Sequence, residues 1–201
     1  MYKGTSASAG IGIGKAVIVE EAELVITRQA VSDGEAEIQR FKGALEQTIK
    51  DTERLAEDLA VRVGEKEAEI MQGHMMLLSD PMLTGEIENS IKNDGVNSEF
   101  AIENVCNMYA DMFASMGDEL MQQRATDMRD IKTRMQRVLM GIQSVDISSL
   151  PAGSILVAKD LTPSMTAGIN HANVTGIVTE AAGQATVQFL QGPLRFRPWW
   201  L

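Results

Sequence analysis

The fold turns on residues 154–179, SILVAKDLTPSMTAGINHANVTGIVT. Pro151-Ala152-Gly153 supplies a turn ahead of them, and Ser154–Ala158 is a short apolar run of the kind that forms a buried strand. Val174–Thr179, VTGIVT, is a second such run. Between the two, Thr162 can cap a helix that Pro163 opens at its first turn. The stretch therefore predicts strand, helix, strand.

Working back toward the N-terminus, the texture changes. Residues 30–143 carry the 3.6-residue spacing of amphipathic helices. Ser32 and Glu35 stand at capping-box spacing, followed by Ile38, Phe41, Leu45, Ile49, Leu55 and Leu59 close to one face. A second helix is predicted from Glu65 to Ser79, stopped by Asp80-Pro81. A third opens at Pro81 and ends near Asn93-Asp94-Gly95. A fourth starts near Asn97-Ser98 with Phe100, Ile102, Val105, Met108, Met112 and Phe113, and a fifth follows a cap at Asp118. Thirteen methionines, many on these helices, suit an adaptable core or contact surface. Ahead of the helical block, Ile11 and Ile13 are set between glycines and followed by Ala16, Val17, Ile18 and Val19, which reads as a β segment with close backbone packing. The expected fold class is α+β: an antiparallel helical bundle inserted into an α/β domain whose first strand and last segments share one sheet. The expected parts are 1–29, 30–143, 146–180 and a tail, 181–201.

Composition narrows the function. The 201 residues carry a net charge of -10, with 44% hydrophobic and 23% charged residues. Nucleic acid is an unsuitable partner at that charge, and a basic protein is a suitable one. One cysteine, Cys106, excludes an internal disulfide and reads as a core residue. No run is long and apolar enough to span a membrane, and the N-terminus lacks the apolar centre of a signal peptide, so a cytoplasmic location is expected. His74 and His171 stand apart from any metal-spaced Cys/His cluster. GIGIGKA lacks the Ser or Thr that would follow Lys15 in a phosphate loop. In GEKEAEIMQGHMMLLSDPML, residues 64–83, acidic and apolar residues interleave in a way that would suit a basic protein with a hydrophobic centre. An ordinary solvated helix face fits the same pattern.

The segments GTSASAGIGIGKA, EAEIMQGHMMLLSDPML, RATDMRDIKTR and ILVAKDLTPSMTA resemble, in order and spacing, the enzyme I family of the bacterial phosphotransferase system, the phosphoenolpyruvate-protein phosphotransferases. The resemblance implies an α/β phosphohistidine swivelling domain, incomplete here, interrupted by a helical domain that binds the phosphocarrier HPr. It implies a docking surface of Glu65, Glu67, His74, Met76, Leu77, Met82, Leu83 and Arg124. It places phosphoenolpyruvate, magnesium and dimerisation in a C-terminal barrel outside this sequence, so that no cofactor or metal, and a monomer, are expected here. A swivelling domain of the pyruvate phosphate dikinase group fits less well because of the helical insertion.

In the family a Gly-Gly-Arg-Thr-Ser-His motif follows the strand corresponding to VTGIVT, and its histidine takes the phosphoryl group. Aligning VTGIVTEAAG puts that histidine at Val187, which has no nucleophile. Synonymous codons for Ala181 to Trp200, read from their third bases, spell GRTSHSAILARSLEIPAVV. The tail is therefore expected to be the family's active-site segment out of frame after Glu180.

Overall fold

The computed structural model of the chain describes residues 11–143 and 145–180; the tail from 181, with Val187, lies outside the described residues. In chain order the elements are β1 (Lys15–Val19), α1 (Gly34–Arg62), α2 (Glu65–Leu78), α3 (Pro81–Asp94), α4 (Ser98–Ser115), α5 (Glu119–Met140), a 3-10 turn (Ile147–Ser149), β2 (Ser154–Ala158), α6 (Pro163–Gly168) and β3 (Val174–Thr179). Contacts divide the chain into two compact units, Ala22–Ser144 and the residues on either side of it.

The flanking unit is a three-stranded parallel sheet in the order β1-β2-β3. Lys15 pairs with Ser154 and Val19 with Ala158, while Leu156 pairs with Ile177 on the other side. Ser154, Leu156 and Ala158 are buried, and Ile155 and Val157 are half-buried. Val19, Leu156, Leu161, Ile169 and Val174 close this core with Ile147 and Leu150. Thr162 caps α6 as its sequence predicts, its hydroxyl accepting from Met165 N at 3.3 Å. Gly12 and Gly14 are spacers for close approach. A Cβ at Gly14 would overlap the Gly153 carbonyl, and one at Gly12 would stand 2.5 Å from the Thr175 carbonyl oxygen.

The helical unit has its own core, in which Phe41, Leu78, Leu83, Ile87, Ile91, Ile102, Met128, Ile131 and Met135 are fully buried. Fully burying such a side chain contributes about 1.5–3 kcal/mol. Helices α4 and α5 share the most extensive contact, and α1 packs on both α2 and α5. Part of the α1 seam is polar. The Thr48 and Thr52 hydroxyls donate to the carbonyls of Ala44 (2.8 Å) and Thr48 (2.7 Å), which keeps them satisfied while buried. Arg134 Nη2 donates to Thr52 Oγ1 at 2.8 Å, and burial pushes the Arg134 pKa down against the pull of Asp130 and Asp51. Between α4 and α5, burial works to raise the Glu103 pKa, but donors from Gln136, Lys132 and Asn107 hold it below the usual range. Cys106 is fully buried here, and burial pushes its thiol up to about 12.

Two boundaries differ from the sequence reading. Residues 22–29, expected with the α/β part, lie in the helical unit: Gln29 exchanges hydrogen bonds with Asn97, Ala30 bridges Val96, and Arg137 donates to the Ala22 carbonyl. The cap of α1 is Asp33, not Ser32; Asp33 is extended (φ -126°) and its carboxylate accepts from Ala36 N at 3.0 Å. Starting the helix one residue later puts Glu35 at the second helical position, where a capping box cannot form.

Asp33→Ala should therefore cost about 1 kcal/mol in urea denaturation, with Ser32→Ala within about 0.5 kcal/mol of wild type. A thiol reagent at pH 8 should label Cys106 only after the chain unfolds; labelling of the folded chain at the unfolded rate would contradict the buried placement.

Candidate protein-docking site

Helices α2 and α3 meet at Ser79-Asp80. Asp80 caps α3, its carboxylate accepting from Met82 N at 2.8 Å, and Pro81 sits where a missing N–H costs nothing. The row Leu83, Ile87, Ile91 repeats every four residues and faces the core. On α2 the inward row is Ala68, Met71, His74 and Leu78. What remains outside is apolar as well: Met76 is 72% exposed and Met82 67%. Leu77 is half-buried against the core, and Glu65 is exposed. The backbone places Glu67 in the first turn of α2; its side chain lies outside the described residues.

Two residues assigned by resemblance to the surface are not on it. His74 is wholly buried and Leu83 is 2% exposed, so neither can touch a docked partner. The cause is helical phase: both fall on the inward rows that α2 and α3 need for their core contacts. His74 instead works inside. Its Nε2 lies 3.2 Å from Asp127 Oδ1, and its Nδ1 lies 3.8 Å from Asp130 Oδ2, beyond hydrogen-bond reach. Asp127 also accepts from Arg124 Nη1 at 3.4 Å, and Arg124 is one-third exposed. The structure thus joins His74 to Arg124 through Asp127.

The methionines divide in two. Met71, Met128 and Met135 are core residues, whereas Met108, Met112 and Met116 are exposed along α4 and at its end, with Leu120 exposed at the start of α5. The spacing of Met108, Met112 and Met116, one helical turn each, was the available signal for this second apolar stripe. Tyr109 connects the regions. Burial raises its phenol pKa, and so do the nearby charges of Glu86 and Asp80 at the start of α3. Its ring lies 6.3 Å from that of Phe113. Exposed apolar side chains set among carboxylates suit a protein partner better than a small molecule. A cleft of about 250 Å³ beside Thr27 and Gln29 offers no open charge, because its Arg40 is already bound by Glu37, Glu99 and the Leu139 carbonyl. Among the described residues no group of three or more His, Cys, Asp or Glu side chains is placed to hold a metal ion.

A helical unit inserted between the first two strands of a parallel α/β unit is a two-part architecture that can be compared with known proteins. The chain matches the N-terminal family of PEP-utilising enzymes over residues 3–124 and the mobile domain of PEP-utilising enzymes over residues 150–186, and it belongs to the PEP-utilising enzymes as an enzyme I segment. It is 38% identical over 184 residues to the phosphoenolpyruvate-protein phosphotransferase of Bacillus subtilis and 39% identical to that of Listeria monocytogenes. Each match covers 92% of this chain and 32% of the relative, so the chain spans about a third of those proteins. The NMR solution structure of an enzyme I protein (nEIt) superposes with a TM-score of 0.84 at 36% identity, over 95% of this chain and 78% of that one. The mobile-domain match ends one residue before Val187.

Leu83→Ala should lower stability by about 2–5 kcal/mol, the cost of a large-to-small change in a core. Met82→Ala, beside it, should change stability by less than about 0.5 kcal/mol. Equal losses in chemical denaturation would contradict the opposite placements of the two side chains.

Proposed function

We propose that this chain is the N-terminal portion of a phosphoenolpyruvate-protein phosphotransferase, and that its helical unit docks the phosphocarrier HPr. The observation that carries the reading is the pair of exposed methionines, Met76 and Met82, at an acidic helix corner. A basic partner with a hydrophobic centre matches that corner in both charge and polarity. Glu65, Glu67, Leu77 and Arg124 complete the surface by resemblance, and Met112 and Phe113 extend it. The family's relay moves a phosphoryl group from phosphoenolpyruvate to a histidine and then to HPr, with magnesium and phosphoenolpyruvate held by a C-terminal domain outside this sequence. With valine at position 187, the chain as written docks HPr without accepting its phosphoryl group. It works in the cytoplasm as a monomer, and no helix among the described residues is long and apolar enough to cross a membrane.

Titrating the ¹⁵N-labelled chain with HPr should shift the amides around Met76 and Met82, and Met76→Ala should weaken binding about tenfold, as for an interface anchor. Incubation with phosphorylated HPr should leave no acid-labile phosphate on the chain. Label appearing on it would overturn the binding-only reading in favour of phosphoryl transfer. Resequencing the codons for 178–187 decides whether valine or the family's histidine belongs there.

A further inference from the structure

The one-third exposed Arg124 is held from beneath. Its guanidinium fills the space left by the missing side chain of Gly73 on α2: a Cβ there would overlap Nη1 and stand 3.4 Å from Cζ and 3.5 Å from Nη2. The overlap is with the end of a flexible side chain, so a larger residue at 73 would expel the guanidinium while leaving the helix in place. Nη1 donates to Asp127 Oδ2 at 3.4 Å, and Asp127 Oδ1 faces His74 Nε2 at 3.2 Å. His74 is fully buried and follows Gly73 directly, so the imidazole fixes the carboxylate that fixes the arginine. Among the described residues, Nε and Nη2 of Arg124 have no hydrogen-bond partner, which leaves two edges of a planar fork open. Helical spacing puts Gly73 one turn before Met76 and Leu77 and one turn after Glu69. A mounted cation thus stands within the exposed acidic and apolar surface.

We propose that Gly73, Asp127 and His74 are positioning residues that mount Arg124 beside Met76 as the contact for an anionic group, phosphoryl or carboxylate, on the docked protein. A guanidinium suits either, since both take two parallel N–H donors. The contact rests on the HPr-docking reading; the mounting stands on the free chain alone.

The test uses the full chain with Gly73→Ala, Arg124→Ala, the double variant, His74→Gln and His74→Leu. Alanine is the better helix former, so Gly73→Ala should keep its thermal midpoint. It should nevertheless move the Arg124 Nε–Hε NMR cross-peak of the free chain and weaken HPr binding about tenfold, the scale of one charge-assisted hydrogen bond, as should Arg124→Ala. The double variant should be no weaker than either single one. His74→Gln, which keeps a donor for Asp127, should retain the cross-peak position, and His74→Leu should lose it. A larger loss with phosphorylated than with unphosphorylated HPr identifies the phosphoryl group as the anion; equal losses identify a carboxylate. A Gly73→Ala chain with the wild-type cross-peak and wild-type affinity, or additive losses in the double variant, overturns the mounting. If the wild type binds neither form of HPr, the docking reading and the contact fall together, and the cross-peak alone decides the mounting.

Discussion

The parallel pairing of β1 with β2 is the constraint on which the rest of the structure depends. Parallel neighbours cannot be joined by a tight turn and need a crossover that returns the chain to the same end of the sheet. Between β2 and β3 that crossover is ordinary, made by the short helix α6. Between β1 and β2 the chain instead builds the entire helical unit. Each unit then satisfies its own hydrophobic demand, with separate cores around Leu156 and around Ile131.

Much of this was legible because period is robust where one face alone is apolar. In α3 only the row Leu83, Ile87, Ile91 can face inward, and in β2 the apolar run is bounded by a glycine turn and a charged pair. Legibility failed where polar groups do core work. Thr48 and Thr52 break the apolar pattern of α1, yet both are buried, since a threonine hydroxyl can satisfy itself on the preceding turn. The cap of α1 was misplaced by one residue because Ser32 and Asp33 are both good caps and only backbone geometry chooses between them.

Which side chains of the candidate surface are exposed was half legible for a related reason. Helix α2 is apolar on more than one side, with Ile70, Met71, Met75, Met76, Leu77 and Leu78 in close succession, so sequence cannot choose which side is inward. The structure sends Met71 and Leu78 in and leaves Ile70 and Met76 out. His74 travels with the inward set, and its side chain is tolerated there because Asp127 stands opposite. Residue by residue, resemblance carried over a set of which Met76 and Met82 are exposed, Leu77 and Arg124 are partly so, and His74 and Leu83 are buried.

The interruption of the sheet also sets an order in time. During synthesis β1 leaves the ribosome before the helices, but β2, its one hydrogen-bonding neighbour among the described residues, lies beyond the helical unit. The helices are one contiguous stretch rich in local contacts, so they can close their core while β1 is still an unpaired strand. Residues synthesised before the helices are therefore fixed after them, and the backbone at Gly12 and Gly14 must wait for Thr175 and Gly153 before it has anything to lie against.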